Sequence, residues 1–486
     1  MERDSLTLDT PVSLSDGISI QIGEMKDVKY LSLYGWDSKK NKLVIAEEID
    51  YITKQHQHEC FELTFNDGRK TTYTAGHPVM TKDGKWIEVK DIVVNETKIK
   101  AGPDYVLVDF KEMEESNNYS EILKTLDMNI NTKCDYLNTL SFIRMMGYML
   151  SKNNYHGGSS NYIYFTNGMD IETMFKDISL FSEGSIYGNC ENMEILKSPI
   201  KLSKKINELI DKNGNQNILL SKHIPLFLWT APIPIVREFL GGIIGGNCRI
   251  EMNEKDELVL RFIVDSNKIE NNIPEIATLL MKCGINIISQ GGQNIIVNLY
   301  DFHTKIGIRY NCIESLKLAV MASYIRAKNN KLFDGTVDEY LEKIEMKTFM
   351  ENPSEDIQTM MLTVINKVPV GLKTVCDIEV NSTNSFLANG IVSHNCIISH
   401  GGAYTLRDRL FYNGDKFSTF ICNNCGHFAI ADSTLNSYHC QLCGIDEKIF
   451  NIQIPYACKL LFQELMAMGI SVKIRVNEHK QISYSI

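Results

Sequence analysis

Short alternating strands at both ends of one long stretch, with a different pattern between them, constrain this chain most. Up to about residue 110, apolar and polar residues alternate in Val12–Leu14, Ile18–Ile22, Leu43–Ala46, Phe61–Phe65 and Lys85–Val89. A period of two marks half-buried β-strands. Asp16-Gly17, Asp67-Gly68 and Asp83-Gly84 supply the backbone freedom that tight turns require. Between residues 111 and 345 helix-like segments appear near 138–151, 233–246, 272–283 and 314–328. β character returns at Thr359–Val364 and Val375–Val380, ahead of Asn389-Gly390. From Cys396 a compact, cysteine-containing segment begins, ending in a helix-like run, Ile454–Met468. The simplest topology is multidomain: an all-β module (5–110 and 346–395) split by an α/β insert (111–345), then a small α+β module (396–486).

Composition narrows the function classes. The chain has 486 residues, 44% hydrophobic and 23% charged, which excludes wholesale disorder, collagen-like repeats and coiled coil. No apolar run reaches the roughly 18 residues needed to span a bilayer, and Met-Glu-Arg-Asp does not open a signal peptide, so no membrane partner is expected. A net charge of −10 excludes nucleic-acid binding by bulk positive charge. Thirteen cysteines without a secretory signal point to an intracellular, reducing compartment: nucleus, cytoplasm, or a viral factory or virion.

His394-Asn395-Cys396 is the first chemical signal. An asparagine side-chain amide can attack its own carbonyl and break the chain, a neighbouring histidine can supply the proton, and a cysteine thiol can accept an acyl group. Singly, Ser5 also reads as an N-cap, His77 as a core histidine and Asp377 as a turn residue. Their order is more specific. Ser5 through Gly17, Thr74-Ala75-Gly76-His77-Pro78, and Val375–Val380 through Asn395 together resemble the blocks of an intein with the Hedgehog/intein fold, whose splicing domain is an all-β horseshoe. The resemblance implies that Ser5 performs an N–O acyl shift and that Thr74 and His77 distort and protonate the scissile amide. It also implies that Cys396 accepts the N-terminal segment by transesterification. Asn395 then cyclises, helped by His394, while Asp377 couples the two ends. Two positions depart from the pattern. Ser5 replaces the commoner cysteine, and Asn384 stands where the family often has a histidine two residues before Phe386. Slow or condition-dependent splicing is expected.

The insert contains a repeat. Phe142–Ser151 and Arg237–Gly246 are both apolar and rich in small residues, as two closely packed helices require. They resemble the paired helices of a LAGLIDADG homing endonuclease. In that family each helix ends in a carboxylate that holds a divalent metal; the matching positions here are Lys152 and Asn247. Residues 141–340 carry equal numbers of acidic and basic side chains, so a basic DNA-binding balance is absent too. A degenerate nuclease without Mg2+ is the expectation. The alternative, an active site-specific nuclease, needs acids from elsewhere, such as Asp170 or Glu251.

Cys422-x-x-Cys425 and Cys440-x-x-Cys443 have the spacing of a zinc ribbon, predicting one structural Zn2+ on four thiolates. His427 and His439 are spare, and Cys458 reads as core. Around this ribbon, Met1–Asp4 joined to Cys396–Gly402, and Ile454–Ile470, resemble the C-terminal part of the second-largest subunit of a eukaryote-type or viral DNA-directed RNA polymerase. Removing residues 5–395 makes that sequence continuous. The resemblance implies a polymerase (nucleotidyltransferase) subunit, inactive as this fragment alone. Its partners are the largest and other subunits, with DNA and RNA in the assembled enzyme. Met1 matches an internal position of that family, so the upstream part is expected to be encoded elsewhere or to belong to a longer chain. A competing reading is a non-splicing, interrupted zinc-ribbon binding or scaffold protein.

Overall fold

The computed structural model describes residues 5–475 except 29–30, 47–48, 112–131, 152–160, 166–167, 181–186, 191–192, 199–223, 246–247, 254–256, 264–272, 292–293, 355, 381, 396–414, 433–436 and 445–448. It forms two units, Met1–Cys396 and Ile397–Ile486. In the first, strands from both ends of the sequence interleave in one 12-stranded sheet. Along its main path the order runs Leu6–Thr7, Lys70–Thr74, Ile49–Phe65, Met360–Val380, Lys98–Ala101, Ile391–His394, Ser385–Ala388, Pro11–Ser13, Ile18–Gln21 and Val106–Leu107, while Pro78–Met80 pairs with Ile391–His394 and with the twelfth strand, Trp86–Glu88. The alternation expected from sequence is thus used, in local hairpins such as Pro11–Ser13 with Ile18–Gln21, and also in pairings such as Val12 with Ala388 that join the two ends of the unit. Leu6, Val12, Ile20, Phe65, Tyr73, Phe386 and Val392 are fully buried and tie the two halves into one core.

Expectation and structure differ at two elements. Thr359–Val364 and Val375–Val380 are the ends of one strand, Met360–Val380, paired along its length with Ile49–Phe65. Its middle is exposed and contains Pro369 and Gly371 at a register shift, so the hydrophobic pattern there reads as a break. A two-stranded ladder satisfies the backbone without burying either face. In the second unit, Ile454–Met468 is not all helix. Ile449–Pro455 is a strand paired with Lys416–Cys422, and the helix is Tyr456–Ala467. Asp415 sets that boundary: its carbonyl accepts from Tyr456 N (2.7 Å) and its carboxylate from Ala457 N (2.7 Å).

The two small-residue helices of the insert, Lys133–Ser151 and Ile233–Gly245, pack backbone against backbone. A Cβ at Gly147 would lie 2.3 Å from the Phe239 carbonyl oxygen, and one at Gly242 would lie 2.2 Å from that of Arg144. Only glycine fits. The insert also contains two antiparallel sheets: a three-stranded one over residues 161–198 and a four-stranded one over residues 248–298.

Candidate functional site

Strand pairing builds the N-terminal junction. Leu6 faces Tyr73 on one side and Cys376 on the other, so antiparallel register puts Ser5 across from Thr74 and Asp377. The Ser5 N–H donates to Thr74 Oγ1 at 3.0 Å, and the Ser5 carbonyl accepts from Thr74 N (3.1 Å) and Oγ1 (3.3 Å). A threonine hydroxyl therefore sits on the nitrogen of the peptide bond preceding Ser5. All four side chains at this junction, Ser5, Thr74, His77 and Asp377, are buried. The His77 ring stacks on Tyr73 at 4.9 Å, and neither ring nitrogen has a hydrogen-bond partner among the described residues. Burial, and then the neighbouring His394, push the imidazole down to about 3, so it is neutral at pH 7. A neutral ring can hold a hydrogen bond to an amide but carries no surplus proton.

The C-terminal junction lies against the same segment. Ser393 pairs with Val79, two residues beyond His77, and the Tyr73 hydroxyl lies 3.5 Å from Ser393 Oγ. His394 packs its ring edge-on to Trp86 at 4.5 Å and sets Nδ1 at 2.6 Å from the Asn395 carbonyl oxygen. That is the oxygen on which negative charge develops when the carbonyl is attacked. Asn395 is fully buried; its N–H donates to the Asn384 carbonyl at 3.1 Å. With its side-chain amide oriented to satisfy both ends, Nδ2 donates to the same carbonyl (2.5 Å) and Oδ1 accepts from Val380 N–H (3.1 Å). Asn384 itself takes φ +54°, a left-handed conformation that asparagine tolerates.

In the second unit the sulfurs of Cys422, Cys425, Cys440 and Cys443 all lie within 4.8 Å of one another. Tetrahedral zinc–thiolate bonds of about 2.3 Å place sulfurs roughly 3.8 Å apart, so this donor set fits one zinc ion. His427 is otherwise engaged, with Nδ1 at 3.1 Å from the Cys425 carbonyl and Nε2 at 3.1 Å from Ser471 Oγ.

Against known proteins, the model of the intein splicing domain matches residues 12–395. The chain belongs to the intein splicing domain family. This intein is followed by a segment, residues 390–477, that matches RNA polymerase Rpb2, domain 7. The chain is 41% identical over 106 residues to DNA-directed RNA polymerase II subunit 2 of Arabidopsis thaliana, covering 22% of this chain and 9% of that one. It is 33% identical over 115 residues to DNA-directed RNA polymerase subunit Rpo2 of Saccharolobus shibatae, covering 24% and 10%. The chain thus spans about a tenth of the length of these curated relatives. A DnaB intein from Synechocystis is similar at 22% identity over 20% of this chain and 69% of that one, with a TM-score of 0.18.

Of the residues singled out in the sequence, the intein brings together Ser5, Thr74, His77 and Asp377, and sets His394 and Asn395 beside them. Cys396, Lys152 and Asn247 lie outside the described residues. Asp170 accepts from Cys312 N (2.9 Å) and Glu251 pairs with Arg261 (2.8 Å). Sequence reasoning missed Tyr73 and Trp86, which look like ordinary strand residues, and the carbonyl of Asn384. Only the fold reveals them, because a ring contact or a backbone oxygen carries no motif.

Proposed function

We propose that the chain is a self-splicing precursor whose intein, Ser5–Asn395, excises itself from a polymerase subunit segment. Ser5 Oγ attacks the carbonyl of Asp4; the Asp4–Ser5 amide breaks, an ester forms, and the Ser5 nitrogen takes up the proton. The Thr74 hydroxyl on that nitrogen and the neutral His77 bend the amide away from planarity, while Asp377, across the strand from Ser5, acts between the two junctions. Cys396 Sγ then displaces Ser5 Oγ to give a thioester. Asn395 Nδ2 attacks its own carbonyl, the bond to Cys396 breaks, and an S–N shift leaves an Asp4–Cys396 peptide bond. His394 Nδ1 stabilises the oxyanion of the cyclisation step, and Asn384 and Val380 aim the amide. The observation that carries this reading is that Ser5 and the strand leading to Asn395 both lie against one segment, residues 73–86.

In the same proposal the spliced product is a 95-residue, zinc-containing part of a DNA-directed RNA polymerase that assembles with the largest and other subunits around DNA and RNA. Cys422, Cys425, Cys440 and Cys443 would hold the zinc, which supplies a cross-link when bound. A reducing compartment belongs to the same proposal, because the four zinc-binding cysteines must stay reduced to act as ligands. None of the described helices is long and apolar enough to cross a membrane. The insert is a degenerate LAGLIDADG-type nuclease, supported by the glycine-mediated helix pair and by the engagement of Asp170 and Glu251 elsewhere.

Intact mass and gel analysis of the chain with an upstream tag tests the reading. Release of a 391-residue fragment with a ligated tag–ribbon product, both lost in Asn395→Ala with Cys396→Ala, is the expected result. One unprocessed mass at every pH and temperature would sink it. A non-splicing interrupted module is the second reading, favoured by the weaker Ser5 nucleophile and by Asn384 in place of a histidine.

A further inference from the structure

Where the insert meets the splicing module, charges are buried. Arg69 has a fully buried side chain and pairs with Asp67 through Nε (2.7 Å) and with Asp104 through Nη2 (3.3 Å). From the insert, Arg326 on the helix Cys312–Asn329 reaches both acids: Nη1 to Asp104 at 2.6 Å, Nη2 to Asp67 at 3.2 Å, and Nε to the Asp67 carbonyl at 3.1 Å. His303, on the insert helix Leu299–Lys305, places Nε2 at 3.6 Å from Asp104. Two carboxylates are thus shared between one arginine of each module. Burial opposes ionisation of Asp104, but Arg326 and Arg69 outweigh it and hold that carboxyl well below the usual range.

The inner arginine touches the turn that precedes the C-terminal junction. Its Nη1 donates to the Gly102 carbonyl at 2.9 Å. Gly390, at φ +78°, begins the turn into Ile391–His394, and a Cβ there would lie 2.2 Å from Arg69 Nη1 and 3.0 Å from the Gly102 oxygen. Gly102 N in turn donates to the Gly390 carbonyl at 2.7 Å, and Ala101 pairs with Ile391. Arg69 is therefore wedged beneath the turn that leads to His394 and Asn395. The strand bearing Thr74 follows Arg69 directly but has a hold of its own, since Lys70–Thr74 pairs along its whole length with Cys60–Thr64.

We propose that Arg326, assisted by His303, is a positioning residue for cleavage at Asn395: it fixes Asp67 and Asp104, these fix Arg69, and Arg69 fixes the strand that carries His394 and Asn395. The inserted segment is on this account a working part of the splicing apparatus, whatever its nuclease ancestry. The inference rests on the splicing reading above. Without Arg326, two buried carboxylates share one guanidinium; protonation or water entry relieves them, and either loosens Arg69.

The test uses the full tagged chain with Arg326→Met and Arg326→Lys. Ester formation at Ser5 is read as tag release by hydroxylamine, and cyclisation as release of residues 396–486. Amide exchange over 390–395 and 70–74 is measured in precursors that also carry Asn395→Ala. Arg326→Met is expected to slow C-terminal release about a hundredfold, the scale of a small misplacement of reacting groups. Hydroxylamine release should stay near that of the unmutated chain, exchange should quicken at 390–395 and not at 70–74, and Arg326→Lys should fall between. Asp104→Asn with Arg326→Gln, which orphans no carboxylate, guards against misfolding and should recover most of the lost rate. Equal slowing of both junctions, or no slowing of either, overturns the proposal. If the unmutated chain releases neither end, the splicing reading fails and exchange alone judges the coupling: quickening at 390–395 in Arg326→Met supports it, and unchanged exchange ends it.

Discussion

In the sheet beside Ser5 and Asn395, the strands next to the C-terminal junction are closed to water: Ser385–Ala388 and Ile391–His394 are buried at every position. In the cysteine module, the helix Tyr456–Ala467 has no buried residue, and Ile421, Cys422 and Cys440 are the buried hydrophobic positions among the described residues. The sheet can order itself by removing apolar surface from water. The described part of the small module buries little, and the proposed zinc would supply the cross-link that orders it. The candidate splicing residues sit in that buried interior of the sheet, which holds a neutral His77 and a 2.6 Å contact between His394 and a carbonyl oxygen.

The largest expected effect that could break this contrast is metal removal. Zinc binding to such sites contributes on the order of 10 kcal/mol, so a chelator should unfold the cysteine module and expose Cys422 and Cys440 to thiol reagents. All three tryptophans, Trp36, Trp86 and Trp229, lie in the first unit, so their fluorescence should not change. A change in both signals would refute separate means of stabilisation.

Next comes the core. Phe386→Ala should cost about 3–5 kcal/mol, lowering the midpoint of tryptophan-monitored urea unfolding while thiol protection of the cysteine module stays intact.

Acid sharpens the comparison further. His77 has a folded-state value of about 3, below its ordinary 6.5, so the unfolded chain binds the extra proton. Its contribution to stability is therefore complete above about pH 6.5 and lost as pH falls towards about 3, by up to roughly 1.4 kcal/mol per pH unit. His77→Phe should flatten the pH dependence of unfolding over that window; an unchanged slope would show that the ring is already hydrated or paired. Acid also protonates zinc-binding thiolates, but that transition should appear in thiol reactivity and not in tryptophan fluorescence.

The smallest effect is local. Thr336 and Glu339 form a reciprocal capping box at the start of Val337–Lys343. Thr336→Ala should cost about 1 kcal/mol in the first unit and nothing in the second.

Local pattern carried much of this fold. The helices near 138–151 and 233–246, the turns at Asp67-Gly68 and Asn389-Gly390, and the four-cysteine spacing are each set by neighbours a few residues apart. The long strand Met360–Val380 was illegible because its centre is stabilised by a distant backbone partner and not by a buried face. The helix start at Tyr456 was equally hidden, since the carboxylate that accepts from Ala457 N is that of Asp415, 42 residues before Ala457 along the chain.

The candidate site divides in the same way. Ser5, Thr74, His77, Asp377, His394, Asn395 and Cys396 could be named from sequence because bond-making groups must be particular residue types in a particular order. Which atom His394 addresses, the neutrality of His77, the role of the Asn384 carbonyl and the hold of Arg326 on Asp67 and Asp104 depend on burial, backbone direction and through-space charge. Those quantities do not exist along a chain; they arise when strands and helices hundreds of residues apart are packed into one low-dielectric interior.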